Sequence, residues 1–103
     1  MDLISVRELF KNTSAYADKE ITVGGWVRAN RKSKQFGFIS LNDGTYFTPV
    51  QVVYTDAMEN FQEIAKVNIG AALIITGKLL LTPDAPQPFE IQASSIPVEG
   101  PST

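Results

Sequence analysis

The stretch Glu20-Ile21-Thr22-Val23-Gly24-Gly25-Trp26-Val27-Arg28 decides the fold. Ile21, Val23, Gly25 and Val27 alternate with Thr22, Gly24, Trp26 and Arg28. That period of two belongs to a strand that buries one face. A glycine pair weakens a plain strand, so Gly24-Gly25 predicts a bulge or sharp bend. A bent first strand can pair on both sides and serve both halves of a small barrel.

Downstream, the pattern predicts a second strand from Phe36 to Leu41, ended by the turn signal Asn42-Asp43-Gly44. A third strand covers Val50 to Thr55, and a helical window from Met58 to Val67 puts Met58, Phe61, Ile64 and Ala65 on one face. Two more strands, Ala71 to Thr82 and Phe89 to Val98, flank the proline-rich loop Pro83–Pro88. Upstream, Ser5-Val6-Arg7-Glu8 fits a capping box, in which the serine takes an orphan amide and the glutamate reaches back. Val6, Leu9 and Phe10 then give a short helix one apolar stripe, ending near Asn12, and a polar stretch runs on to Lys19. The chain therefore reads as mainly β: an OB-fold, the five-stranded Greek-key barrel, with a short N-terminal helix and a helix between strands 3 and 4. The barrel is expected over residues 1–99. Residues 100–103, at the end of Glu99-Gly100-Pro101-Ser102-Thr103, read as the start of a linker to a further domain.

Composition excludes several kinds of chemistry. The 103 residues suit one domain, and 44% apolar residues give it a core. With no Cys and no His there is no disulfide frame, thiolate zinc site or histidine relay. No GxxxxGK phosphate loop occurs. Asp43 falls in a turn and Glu90 in a strand, with nothing to pair them as hydrolase carboxylates. No catalytic residue and no metal ligand is expected. The longest uncharged stretch, Val67 to Gly77, is too short to span a bilayer, and no signal peptide is evident, so a soluble cytoplasmic protein without a membrane partner is expected.

Charge is unevenly placed. Arg28, Arg31, Lys32 and Lys34 bring +4 to seven positions, leaving −6 for the rest of a chain of net charge −2. Such a window is a focused anion site or the solvated rim of a strand end. On charge grounds these residues are candidate phosphate contacts. In the second strand Gly37, Ile39 and Leu41 suit the core, which turns Phe36, Phe38 and Ser40 outward; the opposite assignment buries the two rings. Val50, Val52 and Tyr54 suit the core of the third strand, leaving Gln51 and Val53 outside. Phe89, Ile91 and Ala93 do the same in the last, leaving Glu90 and Gln92 outside. Rings, an amide, a carboxylate and a basic rim on one surface suit single-stranded nucleic acid. Ordinary solvent-facing polarity accounts for Gln51 and Glu90 taken singly.

The runs Trp26-Val27-Arg28-Ala29-Asn30-Arg31, Ser33-Lys34-Gln35-Phe36-Gly37-Phe38-Ile39-Ser40-Leu41-Asn42-Asp43-Gly44-Thr45, Val50-Gln51-Val52-Val53 and Pro88-Phe89-Glu90-Ile91-Gln92-Ala93-Ser94-Ser95 carry a specific resemblance. Together the chain resembles the N-terminal anticodon-binding domain of the bacterial asparaginyl-tRNA synthetases, of class IIb. The resemblance implies that Phe38 stacks on the middle anticodon base, a uracil, and that Gln51 hydrogen-bonds its edge. It further implies that Arg31 contacts the loop and that Glu90 reads near the first letter. Phe36, to which the resemblance gives no role, lies beside them and is read as a supporting ring. The expected partner is the anticodon loop of tRNA-Asn. The resemblance also implies that ATP and Mg²⁺ serve the parent enzyme, a homodimer, in a domain outside this chain. This chain is then non-catalytic, without a cofactor of its own, and able to be monomeric. The corresponding domain of an aspartyl- or lysyl-tRNA synthetase, a general single-strand-binding barrel and a protein-interaction barrel stay open as alternatives.

Overall fold

The computed structural model describes residues 3–85 and 87–97. Strand β1, Glu20–Lys32, organises the sheet because it pairs twice. Its first half runs antiparallel to β4, Ala72–Leu81, from Glu20 opposite Lys78 to Trp26 opposite Ala72. Its second half runs antiparallel to β2, Phe36–Asn42, from Trp26 opposite Asn42 to Lys32 opposite Gly37. Strand β3, Val50–Thr55, pairs antiparallel with β2 and parallel with β5, Phe89–Ser95. The pairing of β5 with β4 closes a barrel of order β1-β2-β3-β5-β4.

The period-two reading of inward faces holds. Gly37, Ile39 and Leu41 of β2, Val50, Val52 and Tyr54 of β3, and Phe89 and Ile91 of β5 are buried. Two short helices plug the barrel. Helix α1, Val6–Lys11, buries Val6 and Leu9. Helix α2, Phe61–Ala65, lies between β3 and β4 and buries Phe61 and Ile64. A 3-10 turn, Thr13–Tyr16, occupies part of the polar stretch that follows α1.

Several boundaries differ from the sequence pattern. Strand β1 continues four residues past Arg28, because pairing with β2 carries the polar run Ala29–Lys32 as strand. Its register shift falls between Val27 and Ala29, leaving Arg28 at the bulge, not at Gly24-Gly25. Gly25 meets a different demand: a Cβ there would overlap the backbone carbonyl of Asn42. Helix α2 is shorter than the Met58–Val67 window. Strand β5 ends at Ser95, although Ile96 just beyond is still buried. The expected strand end at Val98, residue Pro86 of the proline-rich loop, the end of the expected barrel at Glu99 and the linker 100–103 lie outside the described residues.

The turn after β2 clamps α1. Asp43 Oδ2 accepts from the amide of Val6 at 3.0 Å, Thr45 Oγ1 from the amide of Arg7 at 3.0 Å, and Ser5 Oγ from the amide of Glu8 at 3.1 Å. Three amides without intrahelical partners are thereby satisfied. The serine half of the capping box forms. The Glu8 carboxylate accepts from Asn12 Nδ2 at 3.0 Å and from the Tyr16 hydroxyl at 2.8 Å. Partial burial pushes the Asp43 carboxyl up, but hydrogen bonds from Thr45 and Val6 outweigh it and hold the pKa below its ordinary value.

Candidate nucleic-acid interface

Backbone register builds the outer face. Arg31 lies opposite Phe38, Ala29 opposite Ser40, and Ser40 opposite Gln51. These five residues line one depression of about 360 Å³. The small side chains of Ala29 and Ser40 give it a shallow floor, with the ring, the guanidinium and the amide around it. On the next strand Val52 lies opposite Ile91 and Val53 opposite Gln92. The same register, one step back, sets Glu90 alongside Gln51. Among the described residues, the side chains of Arg31, Gln51 and Glu90 have no protein hydrogen-bond or ion-pair partner, so their polar atoms are available to a ligand.

Phe36 and Phe38 are two apart on β2 and share this face, their centroids 5.3 Å apart and their planes at 86°. Edge-to-face contact is a favoured aromatic geometry and holds the Phe38 ring from one side. Phe36 is 41% exposed at the edge of the pair. The turn between β1 and β2, which carries Lys34, is fixed by the amide and hydroxyl of Ser33, both donating to the Phe36 carbonyl at 2.8 and 3.0 Å.

The four basic residues do not converge. Arg31 is on the face, Arg28 is exposed at the bulge and Lys34 is exposed in the turn. Lys32, one position from Arg31, points the other way: its Nζ donates to Gln62 Oε1 at 3.3 Å and lies 5.8 Å from the centre of the Phe61 ring. Strand alternation accounts for the split. Asn30, between the two arginine positions, also turns from the face and holds α2 through its amide, which donates to the carbonyls of Ile64 and Val67 at 2.9 and 3.2 Å. Nothing in the chemistry of Ala29 and Ser40 marks them as site residues in the sequence. Their outward parity beside Phe38 and Gln51 was the available signal. Among the described residues no group of three acidic side chains is close enough to hold a metal ion, and no helix is long and apolar enough to cross a membrane.

Residues 21–99 match the tRNA anti-codon family model, described as an OB-fold nucleic acid binding domain. The chain belongs to this family. Its curated relatives include the asparagine–tRNA ligase of Alkaliphilus oremlandii, 52% identical over 102 residues, which covers 99% of this chain and 22% of the relative. The asparagine–tRNA ligase of Acetivibrio thermocellus is 52% identical over 99 residues, covering 95% of this chain and 21% of the relative. The chain thus spans about a fifth of the length of these relatives. Among solved structures, asparaginyl-tRNA synthetase from Pyrococcus horikoshii superimposes with a TM-score of 0.83 at 20% identity, over all of this chain and 23% of that one. This OB-fold nucleic acid binding domain therefore has both its predicted topology and its predicted family.

Proposed function

We propose that this OB-fold domain reads the anticodon loop of tRNA-Asn on behalf of an asparagine–tRNA ligase. The observation that carries the proposal is the single depression shared by Arg31, Phe38 and Gln51. A base entering it stacks on Phe38, while the Gln51 amide offers a donor and an acceptor to the N3–H and a carbonyl of uracil. Arg31 supplies charge to the phosphate beside that base, and Glu90 faces the adjoining letter. Phe36 buttresses Phe38. Arg28 and Lys34 attract the backbone from the rim, and Lys32 contributes through long-range charge.

The parent ligase activates asparagine with ATP and Mg²⁺ and esterifies tRNA in a separate domain, as a cytoplasmic homodimer. The domain described here binds without aminoacylating. Near 50% identity to relatives named asparagine–tRNA ligase favours asparagine over the aspartate and lysine systems. The test is binding to RNA stem-loops carrying GUU, GUC and GCU anticodons at two salt concentrations. Preference for GUU over GCU is expected, with loss of affinity in Phe38→Ala, and GUU over GUC supports asparagine. Equal binding to all three would reduce the domain to a general single-strand binder.

A further inference from the structure

At the end of the sheet where β3 and β5 begin, next to Gln51 and Glu90, a row of rings leads from the core to solvent. Phe89, the buried residue before Glu90, packs against Phe10 with centroids 5.0 Å apart. Phe10 stacks on Tyr46 at 4.8 Å and 19°, and Tyr46 meets Phe47 at 4.5 Å and 32°. Phe47 ends the row at 84% exposure, the most exposed of the large apolar side chains among the described residues. A single exposed apolar residue on a mobile loop needs no explanation. Phe47 differs because its ring is packed on one side against a row anchored in the core, while its other side is open.

The loop carrying Phe47 joins β2 to β3 directly after the Leu41–Val50 pair. Along β2 the order is therefore Phe36, Phe38, Ser40 opposite Gln51, and then this loop. Leu41 is about 10 Å from Phe38 at the rise of a strand. Along the chain the Phe36–Phe38 rings thus lie at one end of β2, and the loop that carries Phe47 lies at the other, next to Gln51 and Glu90.

We infer that Phe47 is a second stacking platform for single-stranded RNA, taking a nucleotide that flanks the letter facing Glu90. The inference rests on the proposed anticodon reading and extends it from a three-base site to a longer track. Because the ring is already held by Tyr46, stacking on it orders little new protein, which favours binding.

The test measures binding of wild type, Phe47→Leu and Phe47→Tyr to the GUU stem-loop, with thermal melting as a check of folding. Phe47→Leu, which keeps apolar bulk but not the ring, should weaken binding about tenfold, within the range for loss of one stacked base. Phe47→Tyr should bind like wild type. With an abasic nucleotide on one particular side of the anticodon, wild type should fall to the level of Phe47→Leu, and the substitution should then cost nothing further. Wild-type affinity in Phe47→Leu, or a loss unchanged by abasic sites on either side, would overturn the inference and leave the anticodon reading intact. No binding by wild type to any stem-loop would overturn both.

Discussion

The Tyr54 hydroxyl donates to Asn30 Oδ1 at 2.7 Å, and through that bond the sheet grips helix α2. The Asn30 amide spends its donors on the carbonyls of Ile64 and Val67, at the C-terminal end of the helix. Burial pushes the Tyr54 pKa up, which keeps the hydroxyl a neutral donor. Since Asn30 is anchored inward, its neighbour Arg31 is committed to the opposite face, beside Phe38. A structural bond thus helps orient a binding residue. Tyr54→Phe, which leaves Asn30 Oδ1 without this donor, should cost about 1 kcal/mol in urea unfolding. Asn30→Ala, which removes the partner of the Tyr54 hydroxyl and of the Val67 carbonyl while the Ile64 carbonyl keeps the Val67 amide at 3.1 Å, should cost about 2–3 kcal/mol.

Asp43 predicts an acid limit to stability. Its carboxylate is held below the ordinary pKa by the Thr45 and Val6 hydrogen bonds. A group with a depressed folded-state pKa contributes stability that is fully present above its unfolded value, about 3.9, and disappears as pH falls through the folded value. Melting temperature should therefore drop below about pH 4 through this residue among others. Asp43→Ala should lower stability at neutral pH by about 1 kcal/mol, the usual cost of losing a helix cap, and show a shallower acid decline than wild type.

The parity of β2, β3 and β5 was legible because each side chain's face follows from its position along a strand, and the apolar residues took every second place. Ile39, Leu41, Val52 and Ile91 are fully buried as that pattern requires, and Phe36, Phe38, Gln51 and Glu90 share the other side. The bulge was not legible. The glycine pair Gly24-Gly25 predicts a bulge, yet the shift falls at Arg28, because it is fixed by how Val27 and Ala29 align with Leu41 and Ser40 on another strand. Charge counts ignore direction and so place Lys32 with Arg31, although their side chains leave opposite faces of β1. The α1 clamp was half legible: Ser5 is local in sequence, whereas Asp43 and Thr45 reach the helix from 37 and 38 residues away.

Gly37 gives a sharp test of the packing beneath the site. It sits on β2 between Phe36 and Phe38, and the Tyr54 ring passes directly over its Cα, so an added Cβ would overlap that ring. Relief requires the Tyr54 ring to move, which also strains the Asn30 bond. Gly37→Ala should cost about 1–3 kcal/mol, as overpacked cores do. The substitution adds only a methyl group on the buried face. Any accompanying loss of RNA affinity therefore measures displacement of the two neighbouring rings. Urea unfolding and stem-loop binding on the same sample separate the two effects.

The three residues around the depression should fail in three different ways. Phe38→Ala removes the stacking ring and should weaken binding to GUU, GUC and GCU loops alike, by about tenfold or more, because every base has a face to stack. Gln51→Ala removes the hydrogen-bonding amide but no ring, so the preference for GUU over GCU should collapse while binding to GCU changes little. Arg31→Ala should weaken all three loops in low salt and converge toward wild type as salt rises. Its plot of log affinity against log salt should be shallower by somewhat less than one, about 0.7 for a single-strand phosphate contact. Lys32→Ala is the control. Its Nζ faces Gln62 and Phe61, so it should change the salt slope less than Arg31→Ala does. Equal slopes for the two variants would mean that Arg31 acts only through net charge and makes no direct phosphate contact.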